Sequence, residues 1–182
     1  MMSALAILLS IFIYVFALFV FTAFGLFIFT FAIFSEKLLF LYAKLFCRIM
    51  LFSLGVKIRA YNKFPDTGRY IIMCNHASFI DVFLFPCYLK GYFTAISASK
   101  NFKIPIFGFM LRCINAISID RSDTQSAINS IAVAEKFLMN SNYHLVILPE
   151  GTRSLDGNLQ SFKKGGFHMA INTNFSILPI VS

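Results

Sequence analysis

The chain has 182 residues, 58% of them hydrophobic and only 13% charged, with a mean hydropathy of +0.76. An ordinary soluble domain is about half apolar and about a quarter charged, so the composition excludes a purely soluble domain and describes a membrane-associated protein with a soluble-like part. The net charge of +8 suits an anionic membrane face and phosphate-bearing ligands, and because the cations are scattered rather than clustered, nucleic acid is excluded as a partner.

Residues 1–35 contain no charged side chain and are dense in Phe, Leu, Ile and Ala. A bilayer core takes about 20 apolar residues of helix. This run is longer, with room to tilt, to bend near Gly25 or to lie partly in the interface. It lacks a basic n-region and exceeds the apolar length of a signal peptide, which predicts a retained anchor. Glu36 and Lys37 break the run, and residues 38–54 resume an apolar helical pattern. Lys37, Lys44 and Arg48 fall within roughly 40° of one another at about 100° per residue. That narrow basic stripe suits a helix lying on the membrane surface, with a second, tilted span as the alternative. Lys37, Lys44, Arg48, Lys57, Arg59 and Lys63 all follow the first segment, so the remainder is expected on the cytoplasmic face of the membrane. The chain thus divides into membrane-anchoring helices over 1–54 and an α/β domain over 55–182.

In the second part, residues 56–61 alternate apolar and polar and predict an edge strand, followed by a turn over 64–68. Residues 69–74 predict a buried strand and 79–89 a helix; 93–97 predict another strand. Residues 100–113 carry a second apolar helix pattern punctuated by Pro105 and Gly108. A strand over 116–119 leads to Asp120-Arg121. Ser122 with Gln125 has the form of a capping box, opening a helix whose inner face carries Ala127, Ile131, Ala134 and Leu138. A strand over 144–148 runs into Pro149-Glu150-Gly151-Thr152-Arg153-Ser154, a turn over 156–158 follows, residues 162–166 open a last helix, and 176–181 form a closing strand. Strands alternating with helices predict an α/β fold with a largely parallel sheet flanked by helices. Ligands of such folds bind beyond the carboxyl ends of the strands. Three strands here end in polar chemistry: Asn75-His76, Asp120-Arg121 and the segment from Glu150 to Arg153.

His76 sits where a strand gives way to a helix, and Asp81 follows five residues later. A neutral His takes a proton from a hydroxyl near neutral pH, and a carboxylate on its other nitrogen fixes the tautomer and stabilises the imidazolium. On one continuous helix these positions would lie about 140° apart. The two meet only if His76 lies in the turn and Asp81 in the first helical turns. Asp81 could otherwise serve only as a favourable charge at a helix N-terminus. Ser78 has no G-x-S-x-G context for a hydrolase nucleophile. Cys47, Cys74, Cys87 and Cys113 show no metal-ligand spacing and read as buried residues in a reducing compartment. His144 and His168 read as structural, and no metal cluster is visible.

Together these segments resemble the glycerolipid acyltransferases of the lysophosphatidic acid acyltransferase type. His76 to Asp81 looks like that family's His-x-x-x-x-Asp block, and Lys100 to Arg121 like its second. Pro149 to Ser154 looks like the third, and Leu178-Pro179-Ile180 like the fourth. The resemblance covers residues from about 70 onward. It implies transfer of an acyl group from a thioester, acyl-CoA or an acyl carrier protein (acyl-ACP), to the free hydroxyl of lysophosphatidic acid. The product would be phosphatidic acid, a membrane lipid. No cofactor would be permanently bound. His76 would be the general base and Asp81 its orienting partner. Arg121 and Arg153 would grip phosphate through their planar forks, with Glu150, Gly151, Thr152 and Lys163 completing the substrate-binding set. Gly151 would let backbone approach the ligand. Glu150 would position the acceptor hydroxyl or hold Arg153, a choice the residues leave open. The alternatives are another acceptor, glycerol 3-phosphate or another lysolipid, and an inactive lipid-binding scaffold. Three features depart from the family pattern. Asn115 stands where the family usually has Gly, Leu148 replaces a common Phe, and the sequence stops just past the fourth block, as a fragment or a minimal member would. Asn tolerates left-handed backbone, so the turn at 115 is expected to survive.

Overall fold

The computed structural model describes residues 4–120, 122–154 and 156–182. The chain forms two compact units, one of Met1–Lys63 with Val82–Tyr88 and one of Phe64–Asp81 with Leu89–Ser182. In the first, helix α1 (Ala4–Phe34) runs without a break through Gly25, and extended backbone at Ser35 separates it from α2 (Glu36–Ser53). Within α1, Ala4–Phe27 is long and apolar enough to cross a membrane, by length and composition. Most of its surface away from α2 is exposed and apolar, including Phe12, Val15, Leu18 and Phe19, while Ala17 and Val20 are buried.

Helix α2 packs Phe46 between Phe21 of α1 and Phe83 of α3 (Asp81–Tyr88). The Tyr42 hydroxyl donates to the Phe24 carbonyl at 2.6 Å. Lys37 and Arg48 are exposed and Lys44 is half-buried. Leu41, Leu45 and Phe52 lie exposed beside that stripe. The helix ends in a Schellman turn, with Gly55 at φ +72°, its N–H on the Phe52 carbonyl and the Val56 N–H on Leu51.

The second unit is built on a five-stranded sheet of order β3-β2-β4-β1-β5, with every pairing parallel. The strands are β1 (Tyr70–Cys74), β2 (Tyr92–Ala98), β3 (Ile117–Ile119), β4 (Tyr143–Ile147) and β5 (Ser176–Ile180). The central β1 and β4 are apolar and buried almost throughout, as parallel strands covered on both faces must be. Ile71, Met73, Leu145 and Ile147 meet Ala134 and Leu138 of α5 (Thr124–Met139) and Met169 and Ala170 of α6 (Gly165–Thr173) in one core. Each large side chain buried there contributes about 1.5–3 kcal/mol. The expected sheet, and the inner face of α5, are as the residue pattern implied.

Three local expectations are corrected. Residues 56–61 form no strand; they are largely exposed and pair with nothing in the five-stranded ladder, because alternation alone supplies no neighbour. Residues 100–113 are not one helix but a 3-10 turn, Ser99–Lys103, and a short helix α4, Phe107–Cys113. Pro105 and Ile106 separate them. Ile106 lies at φ +62°, and the Phe107 N–H reaches back to the Pro105 carbonyl at 2.6 Å. This is a γ-turn of the strained hand, costing about 1–3 kcal/mol. Gly108 follows because a Cβ there would stand 2.3 Å from the Phe102 carbonyl oxygen. Third, the cap of α5 is Asp123, whose side chain accepts the Gln125 N–H at 2.9 Å, while Ser122 donates its hydroxyl to Asp120. Asn115 adopts φ +55° and closes α4 with bonds from 115 to 112 and 116 to 111, so the left-handed turn does survive without glycine.

Candidate active site

Strand β1 stops at Cys74, the chain turns through residues 75–80, and α3 opens at Asp81. His76 therefore lies in the turn and Asp81 in the first helical turn, the arrangement that lets them meet. His76 Nδ1 is 2.9 Å from Asp81 Oδ2. The same oxygen accepts the N–H groups of Ala77 at 3.0 Å and Ser78 at 2.9 Å, so one carboxylate orients the ring and braces its loop. A carboxylate can accept from an Nδ1–H, an arrangement that leaves Nε2 as the second nitrogen of the ring. The Asp81 side chain is 4% exposed and that of His76 16%: the carboxylate is shielded and the imidazole remains accessible. Ser78 Oγ accepts the Ile80 N–H at 3.2 Å, a local turn contact.

A second carboxylate holds the backbone of the same loop. Glu150, 3% exposed, follows β4, the neighbour of β1. Its Oε1 accepts the His76 N–H at 2.7 Å and its Oε2 the Gln160 N–H at 2.8 Å. The Ser154 N–H in turn donates to the His76 carbonyl at 2.8 Å. His76 is thus clamped through its ring, its N–H and its carbonyl. In these contacts Glu150 braces the turn. No residue pattern announces this, since its partners are main-chain groups. Asn75 is another unanticipated participant, exchanging hydrogen bonds with the Ser182 main chain at 3.0 and 2.9 Å.

The other expected residues fall around this clamp. Gly151 takes φ +74° in the turn after β4, with its N–H on the Leu148 carbonyl. Thr152 and Arg153 are exposed, and the peptide that follows Arg153 is the one docked on His76. The Lys163 side chain is exposed, while its N–H is fixed to the Pro149 carbonyl at 2.7 Å. Arg121 lies outside the described residues. Its predecessor Asp120 stands at the same carboxyl edge, but β3 is three strand positions from β1, about 14 Å at the usual spacing. The first and third blocks are therefore brought into contact at His76, while the second meets the first through Phe107, whose ring lies 5.7 Å from that of Phe79, with its Asp120 end farther along the sheet edge.

Nearby nucleophiles are quiet. Burial pushes the Cys74 thiol up to about 11, so it is a protonated core residue at neutral pH. His144 is 7% exposed. Its Nδ1 accepts the Tyr70 N–H at 3.2 Å, and its ring stacks on Tyr70. Burial lowers its pKa, which keeps it neutral and structural as read from the sequence.

The parallel α/β sheet agrees with what comparison finds. The family model described as Acyltransferase matches residues 55–182, and the chain belongs to that family. It is 36% identical over 141 residues to a 1-acyl-sn-glycerol-3-phosphate acyltransferase of Cocos nucifera, covering 78% of this chain and 46% of that protein. It is 29% identical over 131 residues to the 1-acyl-sn-glycerol-3-phosphate acyltransferase alpha of Homo sapiens, covering 72% and 46%. The chain spans about half the length of the curated relatives it matches. The crystal structure of the 1-acyl-sn-glycerophosphate (LPA) acyltransferase PlsC from Thermotoga maritima superposes with a TM-score of 0.77 at 24% identity. It covers 95% of this chain and 72% of that one, a likeness of fold.

Proposed function

We propose that this chain transfers an acyl group from a thioester, acyl-CoA or acyl-ACP, to the free hydroxyl of lysophosphatidic acid, yielding phosphatidic acid. The observation that carries this reading is the 2.9 Å contact between His76 Nδ1 and Asp81 Oδ2. In the proposed step, Nε2 removes the hydroxyl proton as the oxygen attacks the thioester carbonyl. Asp81 stabilises the imidazolium. When the tetrahedral intermediate collapses, the carbon–sulfur bond breaks and the imidazolium returns the proton to the departing thiolate. No protein nucleophile is required. Transfer assays on membranes carrying the protein, with a panel of lyso-acceptors and both donor types, test the assignment. Fastest transfer to lysophosphatidic acid is expected; exclusive use of glycerol 3-phosphate would move the acceptor, and no transfer to any acceptor would end the proposal.

Arg153 is the phosphate ligand we favour, because it is exposed and the next peptide docks on His76; Arg121, Gly151, Thr152 and Lys163 complete the proposed substrate-binding set. A charge-assisted bond to phosphate contributes about 1.5–3 kcal/mol. Arg153→Ala is therefore expected to lower kcat/KM roughly 10- to 150-fold, mainly through the KM of the acceptor, with Lys restoring only part of it. A change confined to the donor's KM would reassign the residue to the carrier's phosphates.

Residues 1–54 are proposed as the membrane anchor and 55–182 as the catalytic domain on the cytoplasmic face, following the basic residues after α1. Deleting residues 1–34 should weaken membrane retention yet leave salt-sensitive binding through Lys37, Lys44 and Arg48. If the truncated protein sediments free of membranes at low salt, α2 is not a surface helix.

A further inference from the structure

The segment between the site and β5 turns apolar side chains outward. In α6, at about 100° per residue, Gly166, Met169, Ala170 and Thr173 fall on one side and are buried. Lys164, Phe167, His168 and Ile171 fall on the other and are exposed, Ile171 by 76%. The preceding loop adds Leu159, 68% exposed, and Phe162, whose ring stacks on Phe167 at 6.3 Å. Helix α6 already fills the core with its inner face, and these outer residues take no part in that core. A contiguous apolar patch of this kind marks an interaction surface.

The chemistry of its surroundings selects the occupant. Lys163 and Lys164 stand exposed within the patch, and no acidic residue occurs from 157 to 174; the acidic groups beside it, Asp156 and Glu135, are hydrogen-bonded to Asn158 and Asn172. Aromatic and aliphatic side chains interleaved with cations suit the boundary between acyl chains and anionic headgroups, where Lys stems lie along the apolar zone and the ammonium reaches phosphate. The same chain carries a helix long and apolar enough to cross a bilayer. The patch also adjoins the site: the Gln160 N–H is bonded to Glu150 at 2.8 Å and the Lys163 N–H to Pro149 at 2.7 Å.

We infer that Leu159, Phe162, Phe167 and Ile171 dip into the interface of an anionic bilayer, with Lys164, and Lys163 beside it, at the headgroups. This is a second membrane contact, belonging to the α/β unit itself and separate from α1 and α2. It would hold the loop that braces His76 against the surface from which a lipid acceptor comes; the contact itself does not depend on the acyltransferase reading.

The chain contains no Trp, so a single introduced indole reports alone. Phe162→Trp and, separately, Ile171→Trp in the full chain are reconstituted into phosphatidylcholine–phosphatidylglycerol vesicles with and without dibrominated acyl chains. Blue-shifted emission that loses at least half its intensity to the brominated lipid at both positions is the expected result. Emission that ignores brominated lipid and is quenched by aqueous iodide overturns the inference. So does blue-shifted emission insensitive to both, which would place protein rather than lipid on the patch. Because the readout is fluorescence, a failed transfer assay would leave the result standing.

Discussion

His76→Ala is expected to abolish acyl transfer while the protein still folds and inserts. A positioned general base contributes about 10²–10⁴-fold, and the other side chain on the Asp81 carboxylate, Ser182, whose hydroxyl donates to Oδ1 at 3.4 Å, offers no base to replace it. The fold should tolerate the change. The His76 side chain is partly open, its N–H and carbonyl remain bonded to Glu150 and Ser154, and Asp81 keeps the Ala77 and Ser78 N–H groups. Asp81→Asn should retain some of the geometry, since an amide oxygen can still accept those donors, but it cannot stabilise the imidazolium. A loss of roughly 10²-fold or more in kcat is expected, up to about 10⁴ where a neutral amide also misplaces the ring proton. Both variants should bind acceptor and donor with little change in KM. Near-normal turnover by His76→Ala would sink the mechanism.

Glu150→Ala should cost both stability and activity. It leaves the His76 and Gln160 N–H groups without their acceptor in a buried setting. Each orphaned donor costs about 1–3 kcal/mol, so about 2–6 kcal/mol together, a large fraction of the 5–15 kcal/mol typical of a domain. Glu150→Gln supplies one oxygen where two are needed and should fall between. Chemical denaturation of the detergent-solubilised variants reads the order directly, and activity should fall with it as the turn loosens. An unchanged midpoint combined with a raised acceptor KM would instead make Glu150 a substrate ligand.

How much of this was legible depended on where each signal resides. Fully buried parallel strands announce themselves as short apolar runs, so β1 and β4 could be read directly, and the His–Asp spacing made sense only across a strand-to-helix turn. Asn115 could be anticipated as left-handed because its side chain tolerates that backbone. Residues 56–61 misled because alternation describes a surface without naming a partner strand. The break at Pro105 and Ile106 was hidden under an apolar pattern that ran on past it. Asp123 displaced Ser122 as the cap because either side chain can accept from the first turn, and Asp120 had already engaged the serine. Glu150 was legible as important and illegible in its role, because hydrogen bonds to main-chain N–H groups leave no trace in the identity of their donors.

The order of the strands also bears on how the protein is made. His76 and Asp81 are five residues apart and can meet early. The groups that clamp them come much later: Glu150 is 74 residues beyond His76, and β5, which flanks β1, follows β4 in the chain. Elongation proceeds at about 5–20 residues per second, so some 4–15 s separate synthesis of the histidine from that of its brace. Loops this long also slow the pairing of parallel strands. Helices α1 and α2 therefore leave the ribosome before the turn at His76 is able to hold its shape.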